Sequence, residues 1–133
     1  MIYLALGSSL GDGPSTFLRA EKFLTALGIK ILAKSSNHTT KPYGGVAKND
    51  FTNAVWSIST DFSAFGLLKL LQHVEKLCER TRNQKWEDRT LDLDLLSYFD
   101  EKIDTDWLKV PHPEMSKRDF VLIPLSEVKK MKN

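Results

Sequence analysis

The chain has 133 residues, 41% hydrophobic and 27% charged, values ordinary for a soluble globular protein that can bury a core without staples. Nineteen basic against seventeen acidic side chains leave a formal charge of +2, which excludes a histone-like or polyanionic tail protein but not a local basic site. The lone cysteine, Cys78, excludes an internal disulfide and a Cys-rich zinc site, and suits a reducing cytoplasm. The length predicts one domain over residues 1–133. No charged leader precedes the first apolar run, and that run is far short of the ~20 apolar residues of a membrane span.

Ile2 to Leu6 is continuously apolar and ends at Gly7, as in a central strand covered on both faces. Gly7 to Pro14 reads as a loop, with Asp12 or Gly13 capping a helix that holds Pro14 in its first turn. Phe17, Ala20, Leu24 and Leu27 continue that helix at its period, and Gly28 stops it. Residues 29–34 alternate as a strand that runs on, bent, to Thr40. Lys41 to Asp50 is a long aperiodic loop with Pro42, Gly44 and Gly45, a kind of segment that is often functional. Phe51 to Thr60 is the next strand. Ser63 then caps a helix with Leu67, Leu70, Leu71, Val74, Leu77 and Cys78 on one face. Glu79 to Arg89 is polar and charged, a segment able to close over a substrate. Leu91 to Phe99 is a strand, and residues 100–109 form a turn and short strand. Val110-Pro111-His112-Pro113 is rigid and non-helical. The apolar stretch 120–128 breaks at Pro124, and 129–133 is a frayed basic tail. The order β-α-β-β-α-β predicts an α+β, ferredoxin-like fold: a mainly antiparallel sheet flanked by helices in three α/β/α layers.

The sharpest chemical signal is Arg89-Thr90-Leu91-Asp92-Leu93-Asp94. Side chains alternate along a strand, so the leucines share one face and Asp92 and Asp94 the other. Their Cα atoms stand roughly 6.5–7 Å apart at ~3.3 Å per residue. Two like charges on one face repel unless water or a cation lies between them. A wet strand face is the plain reading, and a Mg²⁺ site shared with substrate phosphates is the chemical one. Arg80, Arg82, Lys85 and Arg89 lead directly into the pair. Guanidinium forks clamp phosphates, which favours a nucleotide–metal site.

Other candidates are weaker alone. Gly7-Ser8-Ser9-Leu10-Gly11-Asp12 lacks the P-loop ending. Asn53 is either a buried amide satisfied by backbone or the reader of a flat heterocycle. Glu75 reads as a surface residue, Cys78 as core. His112 is a turn residue or a phosphate or metal contact. Arg118-Asp119-Phe120 places a cation beside an aromatic ring.

Residues 5–12, Phe51-Thr52-Asn53-Ala54, Arg89 to Asp94 and Val110-Pro111-His112-Pro113 occur in this order. Together they closely resemble the 6-hydroxymethyl-7,8-dihydropterin pyrophosphokinases of folate biosynthesis, over Ile2 to about Val128. The resemblance implies Mg²⁺-dependent transfer of pyrophosphate from ATP to the pterin hydroxymethyl group, with release of AMP. It implies two Mg²⁺ ions on Asp92 and Asp94, and Arg80 and Arg89 in catalysis. The pterin would stack between Phe51 and Phe120, near Asn53, Asp92, Thr40, Pro42 and Tyr43. Gln72, Glu75, Arg82, Arg89, Leu95, Lys109, His112 and Arg118 would face the nucleotide. The expected partners are ATP and the reduced pterin, with no nucleic acid and no membrane, in a cytoplasmic monomer or beside another folate enzyme as fusion or pathway partner.

This chain departs from the family pattern in four places. Glu87-Asp88 stand where Gly-Pro is common, Trp107 where a basic residue is common, and Pro113 where an aromatic is frequent. Family members also commonly continue past the position of Val128. The alternative is a non-catalytic ferredoxin-like nucleic-acid-binding module, using basic residues with Trp86 and Phe51. Metal-dependent AMP release separates it from the enzyme.

Overall fold

The computed structural model describes residues 1–9, 12–40, 50–79 and 90–131. Strand β1 (Ile2–Ser8) is central. Its neighbours are β4 (Phe51–Ser59) and β5 (Asp92–Tyr98), and β2 (Lys30–Lys34) lies beyond β4, giving the order β2-β4-β1-β5. The short β3 (His38–Thr40) also pairs with β4, and every pairing is antiparallel. This is the expected ferredoxin-like arrangement.

Helix α1 (Gly13–Ala26) begins at Asp12, whose carboxylate accepts from the Ser15 N–H and hydroxyl. Asp12, and not Gly13, is therefore the cap. Gly13 instead lets the helix approach the sheet, because a Cβ there would lie 2.5 Å from Thr52 Oγ1. The helix stops at Gly28, whose φ of +95° suits glycine. Leu27, expected on the apolar face, is half exposed at the C-cap instead.

The bent strand expected over 29–40 is two strands. The chain leaves the ladder at 35–37, where buried Ser35 bonds Val55 through both its N–H and its hydroxyl. Helix α2 (Ala64–Glu79) starts with Ser63 Oγ accepting the Gly66 N–H and buries Leu67, Leu71, Val74 and Cys78. Burial raises the Cys78 thiol pKa, as for a core residue. Both helices cover one face of the sheet over Ile2, Leu4, Leu6, Leu93 and Leu95.

Helix α3 (Asp119–Lys129) covers part of the other face, with Val121, Leu125 and Val128 packed on Val55 and Leu96. The expected break at Pro124 does not occur. An interior proline costs about 3 kcal/mol, while each buried aliphatic side chain contributes about 1.5–3 kcal/mol, so three such contacts outweigh it. Between β5 and α3 lie a small hairpin, β6 (Ile103–Asp104) with β7 (Lys109–Val110), and a 3₁₀ turn (Met115–Lys117). No helix among the described residues is long and apolar enough to cross a membrane.

Candidate active site

Leu91, Leu93 and Leu95 bury into the two-helix core, and Asp92 and Asp94 take the opposite face, as the alternation requires. On that face α3 stops short of the end of the sheet. The uncovered end forms a cavity of about 680 Å³, within the usual range for small-molecule sites.

Its floor is one row across the sheet: Asn53 on β4, Gly7 on β1 and Asp92 on β5 stand directly opposite one another. Asp94 follows one step along, opposite Ala5. Gly7 is therefore a strand residue, not the loop residue expected. A Cβ there would meet Asn53 Oδ1 at 3.3 Å, so its absence leaves a bare strip between an amide and a carboxylate. A glycine ending an apolar strand was the available signal. Thr40 and Phe51, paired across β3 and β4, close one side.

The facing wall comes from 112–121. His112 donates its backbone N–H to Leu96 O at 2.8 Å, and its Nδ1 accepts the Glu114 N–H at 3.1 Å. The neutral ring thus carries its proton on Nε2 and can donate to an anion. Arg118 caps α3 without a side-chain cap bond. Its guanidinium lies 5.6 Å from the Phe120 ring centroid and 3.7 Å from Glu114 Oε1. Lys117 and Met115 also line this wall. Neither was singled out from sequence, and neither has a motif that marks it.

Glu75 is not a plain surface residue. Its Oε2 accepts the Leu93 N–H at 2.7 Å, on the edge of β5 that no strand among the described residues covers. Burial, opposed by that N–H and aided by Asp92, Asp94 and Glu79, raises its pKa to about 7. The contact fixes the backbone between the two aspartates. Gln72 is exposed on α2, and Lys109 pairs with Asp104 at 2.7 Å; neither lines the cavity. Leu95 is 4% exposed and points into the core on the opposite face. Pro42, Tyr43, Arg80, Arg82 and Arg89 lie outside the described residues.

Asp92 is half-buried and Asp94 exposed. Among the described residues, no group of three or more His, Cys, Asp or Glu side chains forms a metal cage. A carboxylate pair without a cage suits a hard cation that fills its shell with phosphate oxygens and water. Aromatic rings, an amide, cations and paired carboxylates thus meet around one cavity, a set of groups compatible with a flat heterocycle and a polyphosphate and so with group transfer of the phosphoryl kind.

The sequence model of the 7,8-dihydro-6-hydroxymethylpterin-pyrophosphokinase family matches residues 3–130. The chain is 35% identical over 127 residues to the 2-amino-4-hydroxy-6-hydroxymethyldihydropteridine pyrophosphokinase of Methylorubrum extorquens, covering 95% of this chain and 80% of that protein. It is 39% identical to the Bacillus subtilis enzyme of the same name, covering 95% and 76%. The Aquifex aeolicus counterpart is 40% identical over 128 residues, covering 96% and 79%. The chain belongs to this pyrophosphokinase family, and the nucleic-acid module weighed from sequence gives way to it.

Proposed function

We propose that the chain carries out the reaction its family is named for, as one domain over residues 1–133, with the cavity as its pterin site. It moves pyrophosphate from ATP to the hydroxymethyl oxygen of 6-hydroxymethyl-7,8-dihydropterin and releases AMP. The observation that carries this reading is the Asn53–Gly7–Asp92 row between Phe51 and Phe120. A flat ring seated over Gly7 meets an amide on one side and a carboxylate on the other, with an aromatic residue from each wall.

Asp92 and Asp94 would hold Mg²⁺, two ions by the family resemblance, together with ATP phosphates. An Mg²⁺ ion held there would supply charge neutralisation at the phosphates and a lowered pKa of the attacking hydroxyl. The pterin hydroxyl oxygen forms a bond to the β-phosphorus and releases its proton to solvent as the bond from that phosphorus to the α,β-bridging oxygen breaks. The charge departs on AMP. Arg118 and the His112 Nε2–H supply donors to the phosphates from the wall. Arg80, Arg82 and Arg89 take the same task by resemblance, with Arg80 and Arg89 nearest the departing charge.

The nucleotide then runs along the outer edge of β5, against which α2 and β7 both pack, and Gln72 on α2 and Lys109 on β7 are assigned to it by the family resemblance. Glu75 acts through the Leu93 N–H, holding the aspartates in register. The free thiol of Cys78 suits a reducing cytoplasm, where the chain is taken to act as a monomer.

Product analysis by mass, with ATP, Mg²⁺ and the hydroxymethyl pterin, tests this directly. AMP and the pterin diphosphate are expected in equal amounts. ADP in place of AMP, or no nucleotide turnover under saturating pterin, overturns the reading.

A further inference from the structure

Behind α3, away from the cavity, a groove holds a side-chain cluster that the proposed chemistry does not use. The Glu127 carboxylate accepts from the Ser36 N–H at 3.0 Å and from the Ser36 hydroxyl at 2.9 Å, and it meets His38 Nε2 at 3.1 Å. Ser36 lies in the β2–β3 connection and His38 in β3. Glu127 thus reaches 91 and 89 positions back along the chain. Ile123 of α3 and Lys130 at its C-cap line the same groove.

Phe120 and Glu127 are seven positions apart, two helical turns, so they share one side of α3 with about 10.5 Å of rise between them. The matching positions on the sheet run in the reverse direction. Thr40 lines the cavity, while His38 and Ser36, earlier in the chain, meet Glu127. Helix α3 therefore lies along β3 with Phe120 at the cavity end and Glu127 at the far end. Within the sheet, His38 stands opposite Asn53 and Thr40 opposite Phe51. Glu127 joins the two walls of the cavity: the β3–β4 side that carries Phe51 and Asn53, and the helix that carries Phe120. Pro124 has no N–H for the Phe120 carbonyl, so the first turn of α3 lacks one of its bonds and depends on how the helix body is seated.

We infer that Glu127 is a positioning residue for the pterin site: by tying α3 to Ser36 and His38 it sets the gap between Phe51 and Phe120. This rests on the assignment of the pterin to that gap. The His38 contact first, then the Ser36 N–H, hold the Glu127 carboxyl below its ordinary pKa, which keeps the acceptor ionised. A half-exposed pair adds little to global stability. Its consequence is geometric, because small displacements of a stacking ring weaken binding steeply.

The test is calorimetric binding of the pterin, in the presence of a non-hydrolysable ATP analogue, to Glu127→Ala, Glu127→Gln, His38→Ala and Phe120→Ala proteins with their melting curves. Glu127→Ala weakens pterin binding roughly fivefold to tenfold while ATP-analogue affinity stays within about twofold. Glu127→Gln, which still accepts from Ser36, recovers most of the loss. The Glu127→Ala/His38→Ala double variant is no weaker than Glu127→Ala alone, since both act through one tie. Unchanged pterin affinity in folded Glu127→Ala protein, or equal losses for pterin and ATP analogue, overturns the inference. Should Glu127→Ala not fold, His38→Ala carries the same readout, and the same two outcomes overturn the inference there. Phe120→Ala separates the two assignments. If it leaves pterin affinity unchanged, the pterin assignment fails and the inference with it; if it weakens binding and Glu127→Ala does not, the tie alone fails.

Discussion

The two faces of the sheet are built from the same strands and end in opposite states. On one face, α1 and α2 press on Ile2, Leu4, Leu6, Leu93 and Leu95, each at most 5% exposed. On the other, the 11-residue α3 covers Val55 and Leu96 and then stops, leaving Gly7, Asn53, Asp92 and Asp94 beneath an open cavity. Core and cavity therefore alternate along a single strand: Leu93 packs inside, and its neighbours on either side line the cavity. A closed face supplies the rigidity that an open face of mutually repelling carboxylates cannot supply for itself.

Substitutions on each face should break this division if it is wrong. The largest effect belongs to Asp94→Ala, which should lower kcat about 10³-fold or more, roughly 4 kcal/mol of barrier, with melting unchanged because the side chain is exposed. Near-normal turnover would remove Asp94 from the metal site. Leu71→Ala, on the closed face and fully buried, should cost about 2–5 kcal/mol in chemical denaturation. The activity of the remaining folded protein should be preserved, and a specific loss of kcat would show that the two faces are not separable.

Glu75 lies between the two faces. Its raised pKa means that the metal-free native state holds a proton the unfolded chain has released. That contribution is complete below pH 4.5 and is lost as the pH rises through about 7. Glu75→Gln, which can still accept the Leu93 N–H, should match the parent at pH 4. By pH 8 it should exceed it by on the order of 2 kcal/mol, a figure discounted for the residue's partial solvent contact. Stability curves that stay parallel across this window would show the carboxyl to be unperturbed. The smallest effect is expected from Gly7→Ala. It should raise the pterin KM about tenfold, near 1.4 kcal/mol, because the new methyl crowds Asn53 Oδ1, with ATP KM held within about twofold. A higher ATP KM and an unaltered pterin KM would move the pterin off that strip.

Local periodicity made much of this legible. The leucine–aspartate alternation assigned faces before any fold was known, because a strand's period of two leaves no other choice. The Asp12 and Ser63 caps were readable for the same local reason. Pro124 was misread because a residue's own propensity says nothing of the aliphatic contacts that outweigh it. Gly7 was misread because turn chemistry and close approach both call for glycine. Leu95 came with the family's nucleotide contacts, yet the alternation that exposes Asp94 sends it into the core. The Glu75–Leu93 and Glu127–His38 contacts join positions 18 and 89 apart, and no pattern along a chain announces such meetings.

The register shift in β5 shows how one strand answers to both faces. Leu4 stands opposite Leu95 and Tyr3 opposite Ser97, so Leu96 is an extra residue with no counterpart on β1. Before it, odd-numbered side chains face the two helices; after it, Tyr98 joins that core and donates its hydroxyl to the Phe62 carbonyl ahead of α2. Leu96 itself turns the other way and packs with Val55 under α3. Deleting it would make the ladder regular, with Tyr98 still opposite Ile2 and the aspartates still over the cavity. What would go is the seat that β5 offers to α3. The inserted residue thus works for the open face alone, berthing the helix that carries Phe120 without disturbing the strand's other duties.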